Sequence, residues 1–228
     1  MVIPFPYSLS VLCSLFSLFS LSSDITGNNT PVFFIRDPIQ FPDFIHTQKR
    51  HPVTNLKDAN AVFDFFAATP EAIHQATILY SPRGIPYSYR HMNGYGSHTF
   101  VLVNDAGDRF FTKFHFKTDQ GIKNMPASDA ESADPEHATE DLYTAIAKGD
   151  FPSWTVYIQV MAEADAVKCP VDVLDVTKVW PHSLYPLQEI GKLTLDRLPE
   201  NYHVDVEQSA MSWQRSAGVF YPAATLQP

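Results

Sequence analysis

Alternation of apolar and polar positions is clearest in two neighbouring stretches, His98 to Val103 and Arg109 to Lys117, separated by the polar turn Asn104 to Asp108. A period of two across a short turn predicts a β-hairpin. It sets Phe110, Thr112, Phe114 and Phe116 on one face, read as core, and Phe111, Lys113, His115 and Lys117 on the other, read as largely wet. Trp154 to Met161 alternates again, with Trp154, Val156, Ile158 and Val160 on its buried side, and Gly191 to Leu198 predicts a further strand. Helical spacing takes over in three places. Val62, Phe63, Phe65 and Phe66 share a face within Asp58 to Phe66; Thr69 caps a second helix with Pro70 in its first turn; Pro135 to Lys148 is amphipathic and closed by Gly149. These elements together give an α+β class, an antiparallel barrel-like sheet with peripheral helices.

Ahead of the hairpin the pattern is denser. Pro31 to Ile35 predicts a short buried strand, after which Pro38 and Pro42 break the chain so that Ile39, Phe41, Phe44 and Ile45 lie on one partly helical face. Two amides, Asn28 and Asn29, lead into this apolar run. An unpartnered buried amide costs about 1 to 3 kcal/mol. The pair therefore marks either an Asn-Asn turn before a buried strand or a polar group at the mouth of an apolar pocket.

Composition narrows the classes of function. With 25 acidic against 16 basic residues the formal net charge is -9, which argues against nucleic acid, whose phosphates need clustered Lys and Arg. A neutral small molecule fits better. Two cysteines, Cys13 and Cys169, without CxxC spacing read as free thiols. Nine histidines are scattered with no HExxH, so a metal site built from side-chain ligands has little support and no metal ligands are assigned. Residues 1–23 form a separate stretch, in which apolar, serine-laced Val11 to Leu21 is about half the length of a membrane span. No stable span is expected. The stretch resembles the core of a signal peptide but has no Lys or Arg before Arg36, so a mispredicted exon explains it as well as secretion does.

Four segments in order, GNNTPVFFIRDPIQFPDFIHTQKR from Gly27, HMNGYGSHTF from His91, KFHFKTDQGIKN from Lys113 and TKVWPH from Thr177, closely resemble monofunctional haem catalases. The similarity runs from about Asp24 to about Gln227, so residues 24–228 correspond to the middle of a catalase core domain and an incomplete barrel. The resemblance implies disproportionation of hydrogen peroxide to water and oxygen at haem b. Asn28 matches the distal amide that orients peroxide, while Phe33, Phe41, Ser97 and His98 match haem neighbours, His98 on the far face. His74, Ser81, Arg83, Asn93, Lys117, Val179, Trp180 and His182 match NADPH contacts of those members that hold the nucleotide.

Departures accompany the match. Tyr87, Ser88 and Tyr89 replace shorter or more polar residues beside the nucleotide loop, and Ser183 stands where a lysine is common. The family's distal histidine and haem-ligating tyrosine have no counterpart in these 228 residues, which predicts negligible turnover by the chain alone and leaves a haem or NADPH binding module, or a structural remnant, as alternatives. An enzyme of related fold acting on lipid hydroperoxides would depart in the Asn and Phe segment, which is intact. The family is tetrameric, through arms that this chain does not contain, and resides in the peroxisome or cytoplasm; the leader makes secretion the competing expectation.

Overall fold

A computed structural model describes residues 27–104, 106–208 and 220–222, the last as backbone pairing alone. The leader expected over residues 1–23 lies outside the described residues. The sheet holds strands β1 (Gly94–Val103), β2 (Arg109–Thr118), β3 (Ser153–Ala162), β4 (Gln188–Thr194) and the short β5 (Phe220–Pro222). Their order is β4-β3-β2-β1-β5 with every pairing antiparallel, and the described strands form an open sheet, not a closed barrel. The β1–β2 turn closes as its residues dictate: Asn104 Oδ1 accepts from the N–H groups of Ala106 and Asp108, and Gly107 takes φ +85°, which a side chain would resist.

One face of the sheet carries the main core. Phe114, Phe116, Trp154, Val156 and Leu193 pack against Leu142 and Ile146 of helix α5 (His137–Ala147), which follows the short α4 (Ala127–Ser132) and ends at Gly149 with φ +81° as its sequence predicts. Arg90 ties that helix down, donating to both carboxylate oxygens of Asp141 at 2.8 and 2.9 Å, and Ser88 donates to the same carboxylate. Ser88, one of the departures from the family pattern, is thus buried in this anchor.

The opposite face overturns an expectation. Lys113 and His115 are not on a wet surface: they are 5% and 7% exposed, and the β3 residues Gln159 and Met161 that share this side are 1% exposed. Chain without periodicity covers them. Val173, Trp180 and Tyr185 lie over Met161 and Phe111, and the Lys113 ammonium donates to the carbonyl of Lys178. A central strand covered on both sides buries both of its residue sets.

A second small core forms where α1 (Phe41–Gln48), α2 (Ala59–Ala68) and α3 (Ala72–Leu79) meet, around Phe44, Phe66, Ala72 and Ala76 with Phe34 wedged between. The Phe34 ring stacks on Phe66 at 5.5 Å and on Phe44 at 4.6 Å. Asp58 caps α2 by accepting from Asn60 and Ala61. Thr69 does not cap α3 with its side chain as expected; it ends α2 and offers only its carbonyl to Ala72. Nor is 31–35 a strand. Pro31 has no N–H to give a ladder, and the segment is held by single bonds, such as Phe33 N–H to Val176 O at 3.0 Å, while burying Val32 and Ile35. Among the described residues no helix is long and apolar enough to cross a membrane.

Candidate functional site

Two cavities lie on either side of one backbone seam. Asn28 N–H donates to Tyr95 O at 3.0 Å and Tyr95 N–H donates back to Asn28 O at 2.8 Å, a single antiparallel bridge at the start of β1. Gly27 makes this approach possible, because a Cβ there would lie 2.3 Å from the Tyr95 carbonyl oxygen. The amide is therefore set by backbone pairing before any side-chain contact.

The first cavity, about 520 Å³, is lined by Asn28, Phe33, Ile35, Phe41, Ser97, His98 and Val176 among others. Its walls are mostly carbon. Phe33 and Phe41 stack with their planes 28° apart and centroids at 6.4 Å, and both rings line the cavity. His98 reaches the cavity through an irregularity: between Gly96 and Phe100 three residues of β1 face the single residue Lys113 of β2. Such bulges re-aim side chains next to functional sites. Its neighbours Ser97 and Thr99 turn inward, and Thr99 donates to Val173 O. The His98 ring meets water through the cavity mouth, yet surrounding protein pushes its pKa down, by desolvation first and by the Lys113 charge second. All five residues expected beside the haem thus share one cavity. Its size and apolar lining suit a small-molecule site, the stacked rings suit a flat ring system, and the buried Ser97 hydroxyl has no partner. These residues fit haem.

The second cavity, about 310 Å³, is lined by Tyr95, Lys113, His115, Lys117, Gln159, Val179, Trp180, His182 and their prolines. It is basic where the first is apolar. Three donors converge on the Tyr95 hydroxyl: Lys117 at 3.1 Å, Asn93 at 3.1 Å and Arg83 at 3.5 Å. Burial drives the Lys113 pKa down to about 8 against the pull of Asp175 and Cys169, and drives His115 down to about 4 despite the bond from its Nε2 to Gln159 at 3.0 Å. His115 is neutral at pH 7, with His182 edge-on at 6.1 Å. Of the residues expected at a nucleotide, Lys117, Val179, Trp180 and His182 line this cavity, and Arg83 and Asn93 reach it through Tyr95. Ser81 does not line it. Its hydroxyl caps the turn carrying Arg83, accepting from the Arg83 N–H and donating to Ile78 O. His74 is exposed on α3 and likewise does not line the cavity. Tyr95, Lys113, His115 and Gln159 were missed from sequence. The only available signal was four polar or amphipathic residues interleaved with aromatics on three neighbouring strands, Tyr95 on β1, Lys113 and His115 on β2 and Gln159 on β3.

Known proteins resemble this chain in both sequence and fold. The family model described as catalase matches residues 22–219. The chain is 59% identical over 192 residues to a peroxisomal catalase of Toxoplasma gondii, covering 83% of this chain and 38% of that protein. It is 57% identical over 190 residues to a catalase of Sus scrofa, covering 82% and 36%. A fungal catalase crystal structure superposes with a TM-score of 0.86 at 48% identity, over 89% of this chain and 41% of that one. Catalase A from Saccharomyces cerevisiae gives 0.84 at 47%, over 89% and 43%. The chain spans 38% of the length of the Toxoplasma relative and 36% of the pig one.

Proposed function

The chain belongs to the catalase family, and on that premise we propose that its first cavity is one wall of a haem site where hydrogen peroxide is disproportionated to water and oxygen. Catalases as a family use haem, which supplies the redox chemistry of the iron. What this chain contributes is positioning. The Asn28 amide offers an N–H donor and a carbonyl acceptor at the cavity edge, enough to hold a peroxide oxygen, while Phe33 and Phe41 would pack against the bound haem and exclude water there. Ser97 and His98 border the same space from β1. The observation that carries the reading is the convergence of these five side chains on one cavity.

The second cavity is the candidate NADPH site. Lys117 and Arg83 would meet phosphate by charge-assisted bonds, Arg as a bidentate fork, and Trp180 and Val179 would supply apolar contact. His74 joins only if the ligand extends to α3. By likeness to the peroxisomal relative we place the protein in the peroxisome.

Residues 27–208 grafted in place of the matching segment of a whole catalase are expected to support oxygen evolution, and Asn28→Ala in the graft to lower it by about 10²-fold, the usual cost of losing one positioned donor. Retention of full turnover by the alanine variant refutes the role of Asn28. For the 228-residue chain alone, haem addition is expected to give a bound Soret band with oxygen evolution at the level of free haem; clear turnover above that level overturns the expectation.

A further inference from the structure

Resting on the second cavity as a phosphate-binding site, we propose that Tyr95 is a positioning residue that couples occupancy of that cavity to the placement of Asn28 in the first. The phenol carries more donors than it can serve: Lys117, Asn93 and Arg83 all point at one oxygen with two acceptor lone pairs. The Arg83 contact, at 3.5 Å, is the least committed. Burial alone would raise the phenol's pKa, but the Lys117 charge and the bonds from Lys117, Asn93 and Arg83 outweigh it and hold it below its ordinary value. Among the described residues no acidic side chain lines the cavity to compete for these donors; the other titratable groups facing it are Lys113, His115 and His182.

A phosphate entering here competes with the phenol for Lys117 and Arg83, and bonds between charged partners are about twice as strong as those to a neutral oxygen. The ring then loses two of its three ties and keeps the one from Asn93. It is held edge-on to His115 at 5.6 Å with the Lys117 ammonium 4.8 Å above its centroid, so a change in those ties displaces the residue as a unit. The same residue's main chain carries Asn28 on two hydrogen bonds. Gly27, with no room for even a Cβ against the Tyr95 carbonyl, leaves no slack in that seam. Movement of Tyr95 therefore reaches the amide that borders the first cavity.

The test follows the Asn28 side-chain amide by nitrogen NMR in the whole chain, its signal assigned by its loss in Asn28→Asp, with inorganic pyrophosphate and NADPH as probes. Pyrophosphate is expected to shift the Asn28 signal in the parent chain. Tyr95→Phe keeps the ring but frees the three donors: pyrophosphate should bind it about threefold more tightly, the worth of one net hydrogen bond, with the Asn28 signal unresponsive. A phenol of merely structural importance would instead leave the response intact in the phenylalanine variant. An Asn28 signal that ignores pyrophosphate, or that shifts equally in Tyr95→Phe, overturns the proposal. Should Tyr95→Phe fail to fold, Lys117→Met, which keeps the phenol, must abolish the response; a full response there overturns the coupling. A shift with pyrophosphate but no binding of NADPH sinks the nucleotide reading and leaves the coupling standing.

Discussion

The two cavities share the Asn28–Tyr95 seam and differ in almost everything else. The first is walled mostly by phenylalanine and aliphatic carbon, with the Asn28 amide, the Ser97 hydroxyl, the His98 imidazole and a single cation, Arg36; the second is walled by two lysines, two histidines, a phenol and the Gln159 amide, with one indole. Apolar walls select by shape, while clustered cations select by charge. A flat, largely uncharged ring system suits the first, and an anion suits the second. The difference also locates risk: buried cations cost desolvation, so the second cavity is the less stable when empty and the more responsive to its ligand.

The largest break between the two comes from Trp180→Ala. Trp180 is 1% exposed, packs on Met161 and Val173, and lies under the Lys113 ammonium at 5.3 Å. Truncating a buried tryptophan costs about 3 to 5 kcal/mol. We expect a correspondingly lower midpoint in urea and loss of NADPH binding, with haem binding per folded molecule unchanged because Trp180 does not line the first cavity. Equal loss of both ligands would show the cavities to be one unit.

Next in size are the phosphate contacts. Lys117→Ala and Arg83→Ala each remove a charged donor worth about 1.5 to 3 kcal/mol, so each should weaken NADPH binding by roughly 10- to 100-fold, read by nucleotide fluorescence, and leave the Soret band alone. Arg83 should show the smaller effect in the empty protein's stability, its bond to Tyr95 being the longest of the three.

How these sites could be read in advance differed between them. Seven of the eleven residues lining the first cavity lie within Gly27 to Phe41, where amide, proline and phenylalanines sit close enough in sequence to be recognised together. The hairpin and α5 were equally legible, since alternation and the closing Gly149 are local signals. The second cavity is assembled from β1, β2, β3 and the stretch 179–182, and its cover has no periodic pattern to announce it. Alternation alone therefore assigned Lys113 and His115 to solvent. The bulge that turns His98 toward the first cavity depends on how β1 fits against Lys113, which pairwise register decides and sequence spacing does not.

Acidity tests the second cavity by a smaller amount. His115 has a folded pKa of about 4 against an ordinary 6.5, so below pH 6.5 the unfolded chain takes up its proton first and folding stability falls as pH drops toward 4. At pH 5, one and a half pH units below 6.5, the loss amounts to about 2 kcal/mol at 1.36 kcal/mol per unit. His115→Gln removes the titration, and its stability should fall less than the parent's between pH 7 and 5 in urea melts. Parallel falls would mean that His115 is already open to water. Lys113 acts at the other end: with its folded pKa near 8 and its unfolded value at 10.5, stability should rise between those values as the ammonium is discharged.

The smallest effect sharpens the first cavity. Phe41 is half open to solvent, so its removal forfeits little burial, but its ring stacks on Phe33 within 28° of parallel and lines the same cavity. Aromatic pairs of this kind are worth about 0.5 to 1.5 kcal/mol beyond area. Phe41→Ala should weaken haem binding about 3- to 10-fold in Soret titrations and leave NADPH affinity unchanged, whereas Phe41→Leu, which keeps bulk but not the flat face, should recover less than half of the lost free energy. Full recovery by leucine would mean that the wall works by filling space, and that the near-parallel geometry of Phe33 and Phe41 is a consequence of packing with no bearing on what the cavity holds.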